Sequence, residues 1–131
     1  MKKNDVQYSL EQFQNAFNRL KEAILQAGED ELKQDGALQR FEFTFELLWK
    51  TLKRYLEFLG KRAANPRDTL KEALREELFT DEKTFLDMLE DRNTCSHTYD
   101  FATTRKIFEH IRTLYAPAID NLIAEIEKRI A

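Results

Sequence analysis

Apolar residues recur along this chain at alternating intervals of three and four, the spacing that lines one face of an α-helix. Leu10, Phe13, Phe17, Leu20, Ile24 and Ala27 form the first stripe, with Ser9 placed as its N-cap, Gln12 as the capping-box partner and Gly28 as its stop. Asp35-Gly36 is expected to open a second helix, whose stripe is Leu38, Phe41, Phe45, Leu48, Leu52, Tyr55 and Leu59, ended by Gly60. Phe43, Leu47, Trp49, Leu56 and Phe58 lie off that stripe, so this helix needs a second covered face, at the centre of a bundle or against another subunit. Asn65-Pro66 reads as an N-cap followed by proline at the first helical position, starting a short helix through Leu70, Ala73, Leu74 and Leu78. Thr80-Asp81 caps a helix that buries Phe85, Met88, Leu89 and Cys95. Asp100 caps the last helix, which runs through Ile107, Phe108, Ile111, Leu114, Tyr115, Ala118, Leu122, Ile126 and Ile130. Pro117 interrupts it, because proline offers no N–H to the carbonyl of Thr113, and a kink or break is expected there. Four long helices and one short one predict an all-α fold: an up-and-down antiparallel four-helix bundle with one extra short helix, forming a single domain over residues 1–131.

Composition narrows the picture without changing it. Three glycines and two prolines in 131 residues are too few for the turns of a sheet protein of this size. The net charge of −3 and a pI of about 5.5 give no global basic field, so any RNA contact has to be local. Cys95 is the single cysteine, which rules out an intrachain disulfide and fits a reducing, cytoplasmic setting. No apolar run reaches the length of a signal peptide or a membrane span, so no membrane association is expected.

The candidate chemistry is concentrated in Arg92-Asn93-Thr94-Cys95-Ser96-His97-Thr98-Tyr99. Arg is a permanent cation suited to phosphate, His moves protons near neutral pH, and a Tyr hydroxyl accepts a transferred group. Arg92 falls on the same stripe as Phe85, Met88, Leu89 and Cys95, and a cation on a packed face needs a partner. Glu46, across the bundle on the second helix, is the candidate. His97 follows five positions later, a rotation of about 140° on an ideal helix, so the two side chains diverge if the helix continues. They converge only if the helix ends between them or a second copy of the chain supplies one of them.

The remaining polar groupings have plainer readings beside sharper ones. Glu42, Glu46 and Lys50 form an i, i+4, i+8 row that reads as a salt-bridged surface, apart from the proposed role of Glu46. Lys50, Lys53, Arg54, Lys61, Arg62 and Arg67 read as a solvated basic face or as a patch that tracks phosphates. The two histidines, His97 and His110, lie outside any metal-ligand spacing, and there is no glycine-rich phosphate loop. Neither a metal nor a cofactor is expected, and any chemistry falls to the octet.

Arg92-Asn93-x3-His97-x-Tyr99 resembles the Arg-x4-His-x-Tyr motif of HEPN-domain proteins. The wider pattern is similar to the group of nucleotidyltransferase substrate-binding proteins, through the blocks 40–50, Asn65-Pro66-Arg67-Asp68 and 89–100, over roughly residues 13–126. The resemblance implies a HEPN-like helical bundle that forms a homodimer and partners a minimal nucleotidyltransferase. The Gly-Ser and paired-Asp signature of that transferase is not in this chain. The family carries two functional implications. In one, the chain is a metal-independent RNA-cleaving toxin of a toxin–antitoxin pair, with Arg92, His97 and Asn93 as catalytic residues, neutralised by AMPylation of Tyr99. In the other, it is a non-catalytic subunit that presents substrate to the transferase. A third reading, independent of the resemblance, makes the octet a purely structural bundle end.

Overall fold

A computed structural model of the protein describes residues 1–97 and 100–131. All regular structure among them is helical: α1 (Lys3–Ala27), α2 (Glu31–Phe58), α3 (Pro66–Arg75), α4 (Glu82–Cys95), α5 (Phe101–His110), a π-helical turn (Ile111–Tyr115) and α6 (Ala116–Ile130). Helices α1, α2, α4 and the continuous α5–π–α6 rod make the up-and-down bundle, and α3 is the extra short helix. Helix α2 lies at the centre, against α1, α3, α4 and α5. This position explains its surplus of apolar residues: Leu56 is fully buried, and Leu47 and Trp49 pack partly against the core, while Phe43 remains 59% exposed.

Local capping chemistry sets most of the helix starts. Asn65, Asp81 and Asp100 each accept a hydrogen bond from a backbone N–H in the first turn of α3, α4 and α5. The first two helices begin earlier than the sequence pattern implies. The start of α1 is at Lys3, where the backbone N–H of Lys2 donates to Asp5 Oδ2 at 3.0 Å. Ser9 is therefore an interior residue of α1, and its buried hydroxyl lies 2.8 Å from that of Thr51 on α2. Asp30 caps α2 by accepting from the backbone N–H of Lys33 at 3.0 Å, which leaves Asp35 and Gly36 inside the helix. The buried neighbours Ala37 and Leu38 hold that segment against the core, at the modest cost of one helical glycine.

The link from α3 to α4 turns on Glu77, the one described non-glycine residue with positive φ, at 60°. The Leu78 N–H reaches back to the Ala73 carbonyl at 3.1 Å, and Arg129 of α6 donates to the carbonyls of Glu76 and Glu77 at 2.6 and 2.9 Å. These bonds satisfy carbonyls that a helix end leaves open.

The expected break at Pro117 takes the form of the π turn. Here the backbone N–H of Ala116 donates to the carbonyl of Ile111, one residue further back than in an α-helix. The extra residue places Pro117 in the first turn of α6, where its missing N–H is tolerated, and turns Tyr115 into the core, 1% exposed. Leu114, expected on the buried stripe, is 52% exposed because the π turn shifts the register of the face.

Candidate functional site

The site is built where the last turn of α4 meets the middle of α2. Phe85, Met88 and Leu89 anchor α4 in the core, and the same stripe brings Arg92 over the ring of Phe45, with its guanidinium carbon 5.6 Å from the ring centre. Arg92 finds the expected partner: its Nη2 lies 3.4 Å from Glu46 Oε2. Glu46 also accepts from Trp49 Nε1 at 3.1 Å and pairs with Lys50 at 3.2 Å. Burial alone raises the Glu46 carboxyl, but the hydrogen bonds from Trp49 and Lys50 and the charges of Lys50 and Arg92 outweigh it and hold Glu46 below the ordinary glutamate value.

Arg92 is thus held in place but not saturated. The contact to Glu46 is single and long, between side chains 25% and 40% exposed, and such pairs are worth about 1 kcal/mol or less. The Nε–H of Arg92 is buried with no hydrogen-bond partner among the described residues. The fork that would grip a phosphate in two bonds is therefore only partly engaged.

Glu42, one turn before Glu46, is drawn into the same end of the bundle. Burial pushes its carboxyl above the usual glutamate value, against a hydrogen bond from Ser96 and the charge of Arg92. Glu42 therefore faces the site rather than continuing the surface row through Glu46 and Lys50. Cys95 sits between these groups. Burial, with the charges of Glu42 and Asp91 behind it, pushes the thiol up to about 12, so Cys95 stays protonated and is a packing residue, not a nucleophile.

Helix α4 ends at Cys95, with Ser96 as its cap and the His97 N–H donating to the Thr94 carbonyl at 2.9 Å. The helix therefore ends between Arg92 and His97, one of the two conditions under which those side chains converge. His97 and Asn93 are exposed. Tyr99 lies outside the described residues, as does Thr98.

A polar cluster that the sequence did not reveal flanks the site. Asp91 Oδ2 accepts from the Tyr115 hydroxyl at 2.5 Å and lies 2.8 Å from His110 Nδ1. The π turn brings Tyr115 inward to make this contact, and its ring stacks on Phe41 at 5.6 Å. Burial and the bond to Asp91 raise the Tyr115 phenol well above its ordinary value, so it remains a neutral donor. The cluster ties the residue next to Arg92 to the rod that follows the octet. No local pattern announced it, since its three members come from separate elements.

Among the described residues no group of three or more His, Cys, Asp or Glu side chains is placed to hold a metal, and no helix is long and apolar enough to cross a membrane.

The all-helical bundle defines the class of fold, and known proteins share that fold. The chain belongs to the family described as nucleotidyltransferase substrate binding protein like, which matches residues 8–128. It is similar to a probable ribonuclease HepT from Haemophilus influenzae, 36% identical over 84 residues. That stretch covers 58% of this chain and 56% of the relative, so the match spans about half the length of each. A crystal structure of a Thermus thermophilus protein is 31% identical, with a TM-score of 0.76, and the match covers 90% of this chain and 98% of that one. A second solved structure, from Haemophilus influenzae, is described as revealing the fold of a substrate binding domain of a nucleotidyltransferase. It is 25% identical, with a TM-score of 0.81 and the same coverage of 90% and 98%.

Proposed function

We propose that the chain is the HEPN-type partner of a minimal nucleotidyltransferase and acts as a metal-independent endoribonuclease, a toxin that the transferase neutralises by adenylylating Tyr99. The observation that carries this reading is the state of Arg92. A half-buried guanidinium, loosely paired and with an Nε–H that has no partner among the described residues, stands at the end of the helix that leads into an exposed His97. An RNA phosphodiester supplies the anion that such a fork accepts in two bonds.

The reaction needs a proton acceptor, a proton donor and charge stabilisation. His97 takes the proton of the 2′-hydroxyl, whose oxygen attacks the adjacent phosphorus. The bond to the 5′-oxygen breaks, and that oxygen receives a proton from an imidazolium. The products are a 2′,3′-cyclic phosphate and a 5′-hydroxyl. Arg92 neutralises the charge that builds on the phosphate, and Asn93 orients the imidazole or the phosphate. A homodimer supplies two copies of His97, so acceptor and donor are both available. Phe43, 59% exposed on α2 and followed by Leu47 one turn later, supports such an interface, and the end of α4 near Arg92 is the alternative face. Light scattering is expected to give a dimer at micromolar concentration, and a monomer there would remove the basis for a composite site.

Neutralisation follows from the position of Tyr99, two residues from His97. Its phenol oxygen attacks the α-phosphorus of ATP, pyrophosphate leaves and the phenol proton is released. The resulting phosphodiester is bulky and anionic where RNA phosphate must sit. Production of the chain alone is expected to arrest growth, and co-production with the transferase to restore it. Tyr99→Phe is expected to stay toxic but escape rescue, with an added adenylyl mass mapping to Tyr99 in the wild type only. Adenylyl on another residue, or rescue of Tyr99→Phe, would overturn this mechanism.

The second reading, a non-catalytic subunit that presents substrate to the transferase, draws support from the acidic pI of about 5.5 and the occupation of Arg92 by Glu46. It predicts no toxicity and no cleavage by the chain alone.

A further inference from the structure

Charge is distributed unevenly along the chain. Residues 50–75 hold eight Lys and Arg against three Asp and Glu, a local charge of +5 in a chain whose total is −3. The fold gathers this segment where the end of α2, the loop after it and α3 enclose a cleft of about 530 Å³. Lys53, Arg62 and Lys71 line the cleft, and none of the three forms an ion pair among the described residues. Of the three carboxylates in the cleft, Glu72 is taken by Arg75, Asp68 by the cap residue Asn65, and Glu57 forms no ion pair among the described residues. Three cations without an ion pair thus stand against one such carboxylate.

The cleft is joined to the Arg92 site by two charged links. Lys50, Lys53 and Glu57 continue the row of α2 that carries Glu46, and Glu46 bridges Lys50 and Arg92 at 3.2 and 3.4 Å. From Glu46 to Lys53 the helix rises about 10 Å. On the other side Arg67 of α3 pairs with Glu90 of α4 at 2.9 Å, two residues before Arg92. The cleft is therefore connected to the Arg92 site along α2, through Lys53 and Lys50, and from α3 through the Arg67–Glu90 pair.

We infer that this α2–α3 cleft is a track for the backbone of single-stranded RNA, in which Lys53, Arg62 and Lys71 bind phosphates on one side of the bond presented to Arg92 and His97. The inference rests on the ribonuclease reading for the bond cleaved, but the binding it describes needs no cleavage. Free lysines and arginines along a groove recognise regularly spaced phosphates without reading sequence. The local +5 also answers the objection that an acidic protein cannot hold RNA, because the opposing charge lies on the rest of the surface.

The test uses the full chain carrying His97→Ala, so that a labelled single-stranded RNA oligonucleotide is bound but not cut. Adding Lys53→Gln, Arg62→Gln and Lys71→Gln is expected to weaken binding roughly ten-fold at physiological salt. The same change is expected to flatten the plot of log affinity against log salt by about 0.7 for each phosphate no longer neutralised. A control with Lys3→Gln, Lys33→Gln and Lys128→Gln carries the same change in net charge and is expected to bind like its parent. In the cleavage-competent chain the cleft substitutions are expected to raise KM and leave kcat unchanged. Equal affinity and salt slope in the cleft variant and its parent would overturn the track while leaving cleavage intact. Absence of RNA binding by the parent, with loss of transferase binding in the cleft variant, would overturn it in favour of a protein-docking face. Failure of the ribonuclease reading itself would show separately, as absence of cleavage by the wild type.

Discussion

Alanine at His97 is expected to slow RNA cleavage by about 10²–10⁴-fold, the usual loss when a positioned proton-transfer group is removed. Alanine at Arg92 is expected to cost about 10²–10³-fold, through the charge left unneutralised on the phosphate. Arg92→Lys is expected to fail almost as badly, because an ammonium presents no planar fork to a phosphate. None of the three should disturb the bundle. His97 is exposed, and the pair that Arg92 makes with Glu46 is long and partly open to solvent, so its loss is worth about 1 kcal/mol or less. Initial rates on an RNA substrate, taken beside circular dichroism, separate the two effects. A variant that loses helical content together with its rate would mean that the octet is structural.

Phe45→Ala is expected to carry the largest stability effect near the site, about 3–5 kcal/mol. Phe45 is fully buried on the central helix and packs 6.3 Å from the ring of Phe41, which in turn stacks on Tyr115. Removing the ring leaves a cavity between Phe41 of α2 and Arg92 of α4, in the core of the bundle, so collapse around it is limited. Against a total stability of about 5–15 kcal/mol for a domain of this kind, the variant would stand close to unfolding. Phe45→Leu keeps most of the volume and is expected to cost about 1 kcal/mol. Urea titration reads both as shifts of the midpoint at constant slope. The Leu variant has a second use: it removes the aromatic face under Arg92 while keeping the core, so a fall in cleavage there without unfolding would assign the ring a part in holding the guanidinium.

The sequence disclosed features whose causes are local and withheld those assembled from distant residues. Asn65, Asp81 and Asp100 cap helices with their own side chains, so composition alone locates three of the helix starts. The same local logic misled at Ser9 and at Asp35-Gly36. Both fit cap patterns, but Ser9 hydrogen-bonds across to Thr51, and Gly36 is carried inside α2 by buried neighbours on either side. Pro117 announced a disturbance, though not its form, because whether a helix kinks or inserts a π turn depends on what the displaced residues pack against. There, Tyr115 gains the carboxylate of Asp91.

The candidate site divides along the same line. Arg92, Asn93, His97 and Tyr99 stand within one octet and are legible as a motif. The need for a carboxylate opposite Arg92 was legible too, since a cation on an apolar stripe cannot go unpaired, and Glu46 meets it from 46 positions away. What burial, with the charges of Glu42 and Asp91 behind it, does to Cys95, holding its thiol protonated, required the packed structure. So did the contact of His110 Nδ1 with the Asp91 carboxylate, made by a residue that as sequence was only a histidine without metal-ligand spacing.

The central claim is that this chain by itself cuts RNA through Arg92 and His97 without a metal. The direct measurement is incubation of the purified chain, free of transferase and in excess chelator, with single-stranded RNA, followed by analysis of the new ends. The wild type is expected to yield 2′,3′-cyclic phosphate and 5′-hydroxyl termini, and His97→Ala and Arg92→Ala to leave the RNA intact. No cleavage by the wild type, or equal cleavage by all three, would contradict it.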